Sequence, residues 1–437
     1  MINKTYDYIY FFSLINSVFF LSGCSGGEAD YTLDDINPTF QGKFIDEAVE
    51  GLEYTRSNGE SGVTRRGGSY EYKNGDLITF YVGALELGTT SSGTLLTPRE
   101  LAIGTSVIED QKISNRVRFL LALDSDPKIG IQINNATRSS AASWSTSINF
   151  DQSEAAFGTA VEAATNNNIS AADLPSKIVA DAHFARSLRC AYSGGYVGAW
   201  KIPGSDATTG FVGAMIEANG HVVVMGGGQT VDGQEDTVVY VTGTHDVNNQ
   251  AFRFDTADSS ITSGAFYYDR DFNAIGDGKL IVYQSASMNG NGQSHNYSYI
   301  SGTFQNDTQQ GAYELHRADA LTNAAYRYTG FGITGTEIGK GDVLGMLIFD
   351  IDASGHVDGM IHDVRTPMKQ VSLSGQADYI NKKIEIFINN AEKSRLYGTV
   401  NFNDTTGEAF IDWFPDAVNQ LAIGHVQLRG CQLQAID

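Results

Sequence analysis

The sequence is short of positive charge. Its 437 residues carry 29 Lys plus Arg against 51 Asp plus Glu, a formal net charge of -22. A phosphate backbone is repelled by such a field, so nucleic acid is excluded as a natural partner, and acidic lipid headgroups are repelled too. Cysteine is scarce as well. Cys24, Cys190 and Cys431 are the only three, and their spacing suits neither a zinc site nor a cysteine nucleophile. Gly-x-Ser-x-Gly, His-Glu-x-x-His, Rossmann and P-loop patterns are missing, which removes the commonest sequence marks of hydrolase, zinc-protease and nucleotide chemistry. No cofactor is expected.

What is present begins at the N-terminus. Lys4 precedes an apolar stretch from Tyr8 to Leu21, which ends in Leu21-Ser22-Gly23-Cys24 and a Ser25-Gly26-Gly27 spacer. A basic start, an apolar run and small residues describe an export signal better than a membrane-spanning helix. The motif resembles the lipobox of bacterial lipoproteins, although Asp7 departs from the usual basic region. That resemblance implies cleavage before Cys24, acylation of Cys24 and attachment to a lipid bilayer. Several acyl chains anchor stably where one is marginal. Ser25, rather than Asp, after the cysteine resembles the sorting pattern for outer-membrane delivery. Cleavage leaves 414 residues (437 minus 23), enough for two or three domains. In an oxidising compartment Cys190 and Cys431 become the expected disulfide pair.

Composition shifts divide the chain into a signal (1–23), a lipidated tether (24–39), a small β-sandwich-like module (40–96), a helical connector (97–189) and a repeated antiparallel β domain (190–437). In the module, Ala48 to Tyr54, Gly62-Val63-Thr64, Gly68 to Tyr72, and Gly75-Asp76 with Phe80 resemble Ig-like or carboxypeptidase-regulatory-like modules of bacterial surface proteins. In the connector, Thr97-Pro98-Arg99-Glu100 carries helix-start signals, although a helix beginning there fits poorly around Gly104; a helix is predicted over about 113–123, and another over 153–164 ended by Asn166-Asn167-Asn168. A last helix is expected to start near Ser170 and Asp173. Its apolar side would be Ile178, Val179, Ala182, Phe184, Ala185 and Leu188. On it, His183 and Arg186 read as surface or packing residues.

The C-terminal half repeats itself, at about 194–317 and 326–415. Gly195-Tyr196-Val197-Gly198 echoes Arg327-Tyr328-Thr329-Gly330, and Ala218-Asn219-Gly220-His221-Val222 echoes Ala353-Ser354-Gly355-His356-Val357. Ile300 to Phe304 pairs with Leu396 to Val400, with extra length in the first copy between Thr256 and Gly292. Short alternating segments and glycine turns predict antiparallel strands. The fold class is therefore mainly β, with a large antiparallel barrel or sandwich built from two diverged repeats and favoured as one closed unit. In architecture and location it resembles soluble β-barrel domains of surface lipoproteins, some of which bind host proteins.

Chemistry is harder to find. His221 and His356 occupy equivalent positions but read as turn residues. Asp350-Ile351-Asp352-Ala353-Ser354-Gly355 resembles the start of a calcium loop, yet Ile361 stands where a bidentate glutamate is required. A solvated hairpin, with both aspartates outward, is the reading. Tyr196, Trp200, Tyr328 and Trp413 are candidates for a ligand-binding surface, against the simpler role of filling a core. Recognition of a protein or glycan partner, as in adhesion, is favoured over catalysis. The alternatives are a polysaccharide-acting hydrolase, which needs two convergent carboxylates, and a structural envelope protein.

Overall fold

The structure is a computed structural model. It describes residues 38–433 apart from 127–129, 205–209, 229–236, 256–281, 284–287, 296, 307–309, 319–323, 335–342, 364–369, 389–394, 401, 403–407 and 415–423. The lipobox and most of the tether lie outside the described residues. No helix among them is long and apolar enough to cross a membrane.

Nine short strands form the first part: β1 (Phe40–Phe44), β2 (Val49–Glu50), β3 (Glu53–Arg56), β4 (Ser61–Val63), β5 (Ser69–Tyr72), β6 (Leu77–Val82), β7 (Leu85–Ser91), β8 (Leu95–Leu96) and β9 (Ile131–Gln132). They pair in the orders β5-β1-β8, β4-β3-β6-β7 and β2-β9. Strict alternation in β3, β5 and β6 turns Tyr54, Tyr70, Tyr72, Ile78, Phe80 and Val82 inward, where they share a core with Phe44 and Leu52. Four helices follow: α1 (Gln111–Ala122), α2 (Asn135–Ala141), α3 (Glu154–Ala164) and α4 (Lys177–Tyr192). Phe119 and Leu120 of α1 and Phe157 and Val161 of α3 enter the same core as the small sheets.

Local chemistry fixes the helix ends. Asp110 caps α1 by accepting from the Lys112 N–H at 2.9 Å, and Asn166 and Asn167 leave α3 in the left-handed region. Two expectations change. Thr97 to Glu100 make a turn rather than a helix, with Glu100 Oε2 accepting from the Thr97 N–H at 2.7 Å. The motif at Ser170 and Asp173 also closes only a turn. Pro175 disfavours helical backbone at Leu174, and α4 starts later, capped by Ser176. Its buried side is Ala180, Phe184, Ser187, Leu188, Ala191 and Tyr192, whereas Ile178 and Val179 are 82% and 56% exposed.

The remaining strands are β10 (Gly194–Lys201), β11 (Gly210–Ile216), β12 (His221–Gly228), β13 (Thr237–Asp246), β14 (Ala251–Asp255), β15 (Val282–Tyr283), β16 (Met288–His295), β17 (Tyr299–Asn306), β18 (Gln310–Arg317), β19 (Ala324–Thr334), β20 (Val343–Asp352), β21 (His356–Asp363), β22 (Gln370–Asp378), β23 (Lys383–Ile388), β24 (Arg395–Val400), β25 (Glu408–Phe414) and β26 (Gly424–Gln432). The mainly β class is as expected; the single closed unit is not. Strands β19 to β26 close into a barrel of their own. In the first repeat β10 pairs with β18, and β12 pairs with β13 over His221 to Gly228, so β10–β14 and β16–β18 also form a hydrogen-bonded ring. Each repeat thus removes its own edges. Ring order sets β17 against β25, one strand on from the expected match of Ile300–Phe304 with Leu396–Val400. The eighth strand, β26, lies beyond the expected repeat end near 415. The extra length of the first copy falls between β14 and β16, almost entirely outside the described residues.

Both rings are filled. Tyr196, Val212, Ala214, Ile216, Val222, Phe252, Ile300 and Leu315 pack in the first, and Tyr328, Leu347, Phe349, Ile361, Leu373, Ile386, Leu396 and Leu428 in the second. Tight closure uses glycine opposite aromatics. Phe254 stands across from Gly290, Tyr313 across from Gly302 and Tyr328 across from Gly430, and a Cβ on any of these glycines would strike the facing ring.

The rings meet at the C-terminal end of α4. Arg317 of β18 donates to the Ala191 carbonyl at 2.7 Å and also to that of Ser193, while Arg327 of β19 reaches the Ser193 carbonyl at 3.5 Å. Arg327 is itself held by Asp350, with Nε–Oδ1 and Nη2–Oδ2 both 2.8 Å. Asp350 is therefore buried in an ion pair, not solvated. Asp352 is the outward residue, accepting from the N–H groups of Ser354 and His356 in the turn. Cys190 and Cys431 stand at disulfide distance, with Cα atoms 5.5 Å apart across a separation of 241 residues. In the chain-entropy picture a bridge closing so long a loop is worth up to about 5 kcal/mol. Reduction with a thiol should lower the thermal midpoint by several degrees, and the Cys431→Ser variant should start low and respond to no reductant. An unchanged midpoint in the wild type would show that the bridge does not form.

Candidate functional site

Two of the four aromatic candidates, Tyr196 and Tyr328, do not reach a surface. Tyr196 and Tyr328 are fully buried inside the rings, and the Tyr196 hydroxyl donates to the Tyr192 carbonyl at 2.7 Å. Trp200 packs edge-on against Phe304, with centroids 5.3 Å apart. The Trp413 side chain lies outside the described residues, though its backbone pairs with Leu396 and Gly424. A ring already holding a protein core has no face left for a sugar, so Tyr196 and Tyr328 are corrected to core residues.

Among the described residues, a cleft of ≈ 480 Å³ lies between α4 and the strand ends of the first ring. Helical spacing sets Asp181, Ala182, Ala185 and Arg189 along one wall. The opposite wall is the Asn219-Gly220-His221 turn and the segment Thr244 to Asn248, with Ile108 and Glu109 at one end. Gly220, at φ 84°, allows the turn, and its carbonyl accepts from the His245 N–H at 2.8 Å, which locks the two loops together. Its counterpart Gly355, at φ 83°, accepts likewise from Ala377 at 2.7 Å.

Charges in the cleft differ in how far they are committed. Asp181 accepts from Ser114 Oγ and pairs with Lys177 at 2.5 Å. His221 Nδ1 lies 3.3 Å from Glu217, which also meets Arg429 at 3.5 Å. Burial pushes the His245 imidazole down to about 4, so it is neutral, with its Nε2 2.8 Å from Ser294 Oγ. Arg189 is exposed, and neither it nor Glu109 makes a side-chain hydrogen bond or ion pair among the described residues. No Trp, Tyr or Phe lines the cleft. Ile178 and Val179 lie beside it on α4, and Val107, 47% exposed, precedes Ile108. Periodicity alone had assigned Ile178 and Val179 to a buried face.

A second cluster fastens the first sheets to α4. Asp46 and Glu47, in the link from β1 to β2, face His183, Arg186 and Ser187. Asp46 is wholly buried with Oδ1 3.2 Å from His183 Nε2, an ionic contact without hydrogen-bond alignment. Glu47 Oε1 accepts from Arg186 at 2.8 Å, and the Glu47 N–H donates to Ser187 Oγ at 3.0 Å, which holds Glu47 at φ 53°. Sequence reading missed Asp46 and Glu47 because their partners lie almost 140 residues away. Groups of three or more His, Cys, Asp or Glu fit to hold a metal ion do not occur among the described residues.

No family model matches the chain, and no curated protein matches it. Among solved structures it aligns with a double mutant of the vaccine antigen transferrin binding protein B from Haemophilus parasuis. That alignment has 8% identity and a TM-score of 0.16, and covers 52% of this chain and 60% of that one. It also aligns with a protein described as AttH from Nitrosomonas europaea at 9% identity and a TM-score of 0.18, covering 55% of this chain and 92% of that one. Neither likeness carries an argument about fold or function.

The second cluster has a pH signature. Burial lowers the His183 pKa, but the Asp46 and Glu47 carboxylates outweigh it and leave His183 above its ordinary 6.5. Burial raises Asp46, partly offset by His183. Both folded groups hold their protons to higher pH than the unfolded chain does. Their stabilisation is thus fullest at low pH and is lost as pH rises through the folded His183 pKa, above 6.5. The thermal midpoint of the wild type relative to Asp46→Asn should fall between pH 6.5 and 9. A difference independent of pH would contradict the assignment.

Proposed function

We propose that the chain is a lipid-anchored cell-envelope protein that binds a protein partner through the cleft between α4 and the first ring. The lipid would sit on Cys24, and the outer membrane is the expected site. The observation that carries the reading is the cleft's make-up: charged groups of both signs, one guanidinium left uncommitted, exposed aliphatics alongside and no aromatic platform. Sugars bind by stacking on aromatic faces, while protein segments bring charges and aliphatic side chains together. Of protein and glycan, the protein is favoured. A hydrolase reading lacks support from a convergent carboxylate pair among the cleft residues, since Asp181 is already engaged by Ser114 and Lys177.

A soluble form spanning residues 25–437 should retain an envelope protein saturably, and Ala182→Arg, at an exposed position on the cleft wall, should cut that retention at least ~10-fold with little change in stability. Equal retention by the variant would reject the cleft, and saturable binding to a glycan array instead would reject the protein reading. Separately, growth with a labelled fatty acid should tag the full chain but not Cys24→Ser. Equal labelling of both would remove the anchor.

A further inference from the structure

The two repeats share a turn but use its acid differently. In both, the glycine N–H closes the turn: Gly220 donates to the Glu217 carbonyl at 2.8 Å, and Gly355 to the Asp352 carbonyl at 2.9 Å. In the second repeat the acid is occupied within its own turn, with Asp352 Oδ1 accepting from the Ser354 and His356 N–H groups at 2.8 and 2.9 Å. In the first, Asn219 Oδ1 takes the His221 N–H at 2.8 Å instead. The longer acid, Glu217, then reaches His221 Nδ1 at 3.3 Å and Arg429 Nε of the second ring at 3.5 Å.

Arg429 lies on β26, two residues before Cys431, and alternation puts both on one face of the strand. Leu428, on the other face, is buried in the core of the second ring, so Arg429 and Cys431 face outward. Cys431 is nonetheless fully buried, because α4 covers it: the Cys190 Cα stands 5.5 Å from its own, and Ser193 Oγ 3.8 Å from its Sγ. These two side chains of β26 reach the two walls of the cleft. Cys431 meets α4 beside Arg189 on the helical wall. Arg429 meets Glu217 at the base of the turn whose tip, Asn219-Gly220-His221, lines the loop wall. The Gly220 carbonyl passes that restraint on to the His245 N–H at 2.8 Å. Neither Glu217 nor Arg429 lines the cleft itself.

We propose that β26 is a clasp that fixes the spacing of the cleft walls, so that the second ring sets the affinity of the cleft for its protein partner, with Glu217 and Arg429 as positioning residues. The inference rests on the cleft being the binding surface. A partner that meets two walls already held in place has less motion to arrest on binding, and affinity rises accordingly. The divergence of the repeats follows the same logic. Only the turn that borders the cleft sends its acid across to the other ring, while its counterpart in the second repeat keeps Asp352 for itself.

The test uses the soluble chain, residues 25–437. Amide hydrogen exchange, with no partner present, compares the Gly220 and His245 N–H groups with Gly355 and Ala377, their matched pair in the second ring. Arg429→Gln should speed exchange at Gly220 and His245 about 5-fold, while Gly355 and Ala377 change less than ~2-fold. A part-exposed ion pair adds little to global stability, so the thermal midpoint should hold. Retention of the envelope protein should fall at least ~3-fold in Arg429→Gln, and no further when Glu217→Gln is added. The double variant Cys190→Ser with Cys431→Ser should also weaken retention, through the helical wall. Unchanged exchange at Gly220 and His245, equal acceleration at Gly355 and Ala377, or undiminished retention in Arg429→Gln would overturn the proposal. A failed clasp shows in exchange alone, whereas a failed cleft reading shows as retention that Ala182→Arg does not reduce.

Discussion

The C-terminal end of α4 is the constraint on which the rest of the molecule depends. A helix ends with carbonyls that lack helical partners, and Ser193 answers those of Arg189 and Cys190. Arg317 from the first ring answers that of Ala191, the Tyr196 hydroxyl takes that of Tyr192, and Arg317 together with Arg327 from the second ring holds the Ser193 carbonyl just beyond. Basic groups at this end also oppose the helix dipole. Cys431 brings the last strand of the second ring to the same turn of helix. Midway along the helix, Asp46 and Glu47 tie the first sheets to α4 through His183, Arg186 and Ser187. One helix is thus in contact with the link between β1 and β2, with α1 and with both rings.

That arrangement bears on where the proposed recognition would take place. Described side chains fill both rings, so the proposed binding would use surfaces outside them. The cleft lies where rigid parts converge: one helix and two loops locked by the Gly220 carbonyl. Recognition on loops held by a stiff scaffold is a common solution. The exposed Ile178 and Val179 make sense there, because a helix already held at its middle and its C-terminal end retains its position without burying them.

Much of the fold was legible because its determinants are local. Alternation in β3, β5 and β6, the Asp110 cap and the asparagines after α3 each act within a few residues. The repeat was visible through Gly220 and Gly355, which need the same left-handed turn. What escaped notice depends on distant partners. Whether two eight-strand meanders close separately or together is decided by β10 with β18 and β19 with β26, pairings no local pattern encodes. Asp350 looked outward by alternation with Asp352, yet Arg327 pulls it into an ion pair at the seam. Tyr196 and Tyr328 are the same case in reverse, aromatic residues whose chemistry suits a surface and whose ring position makes them core.

The most direct measurement places a photo-crosslinking amino acid at Ala182, in the cell that makes the protein, with Leu77 on the first sheets as an exposed control. The account predicts one dominant protein adduct at Ala182 and none of that mass at Leu77. No protein adduct at Ala182, or the same adducts at both positions, would contradict it.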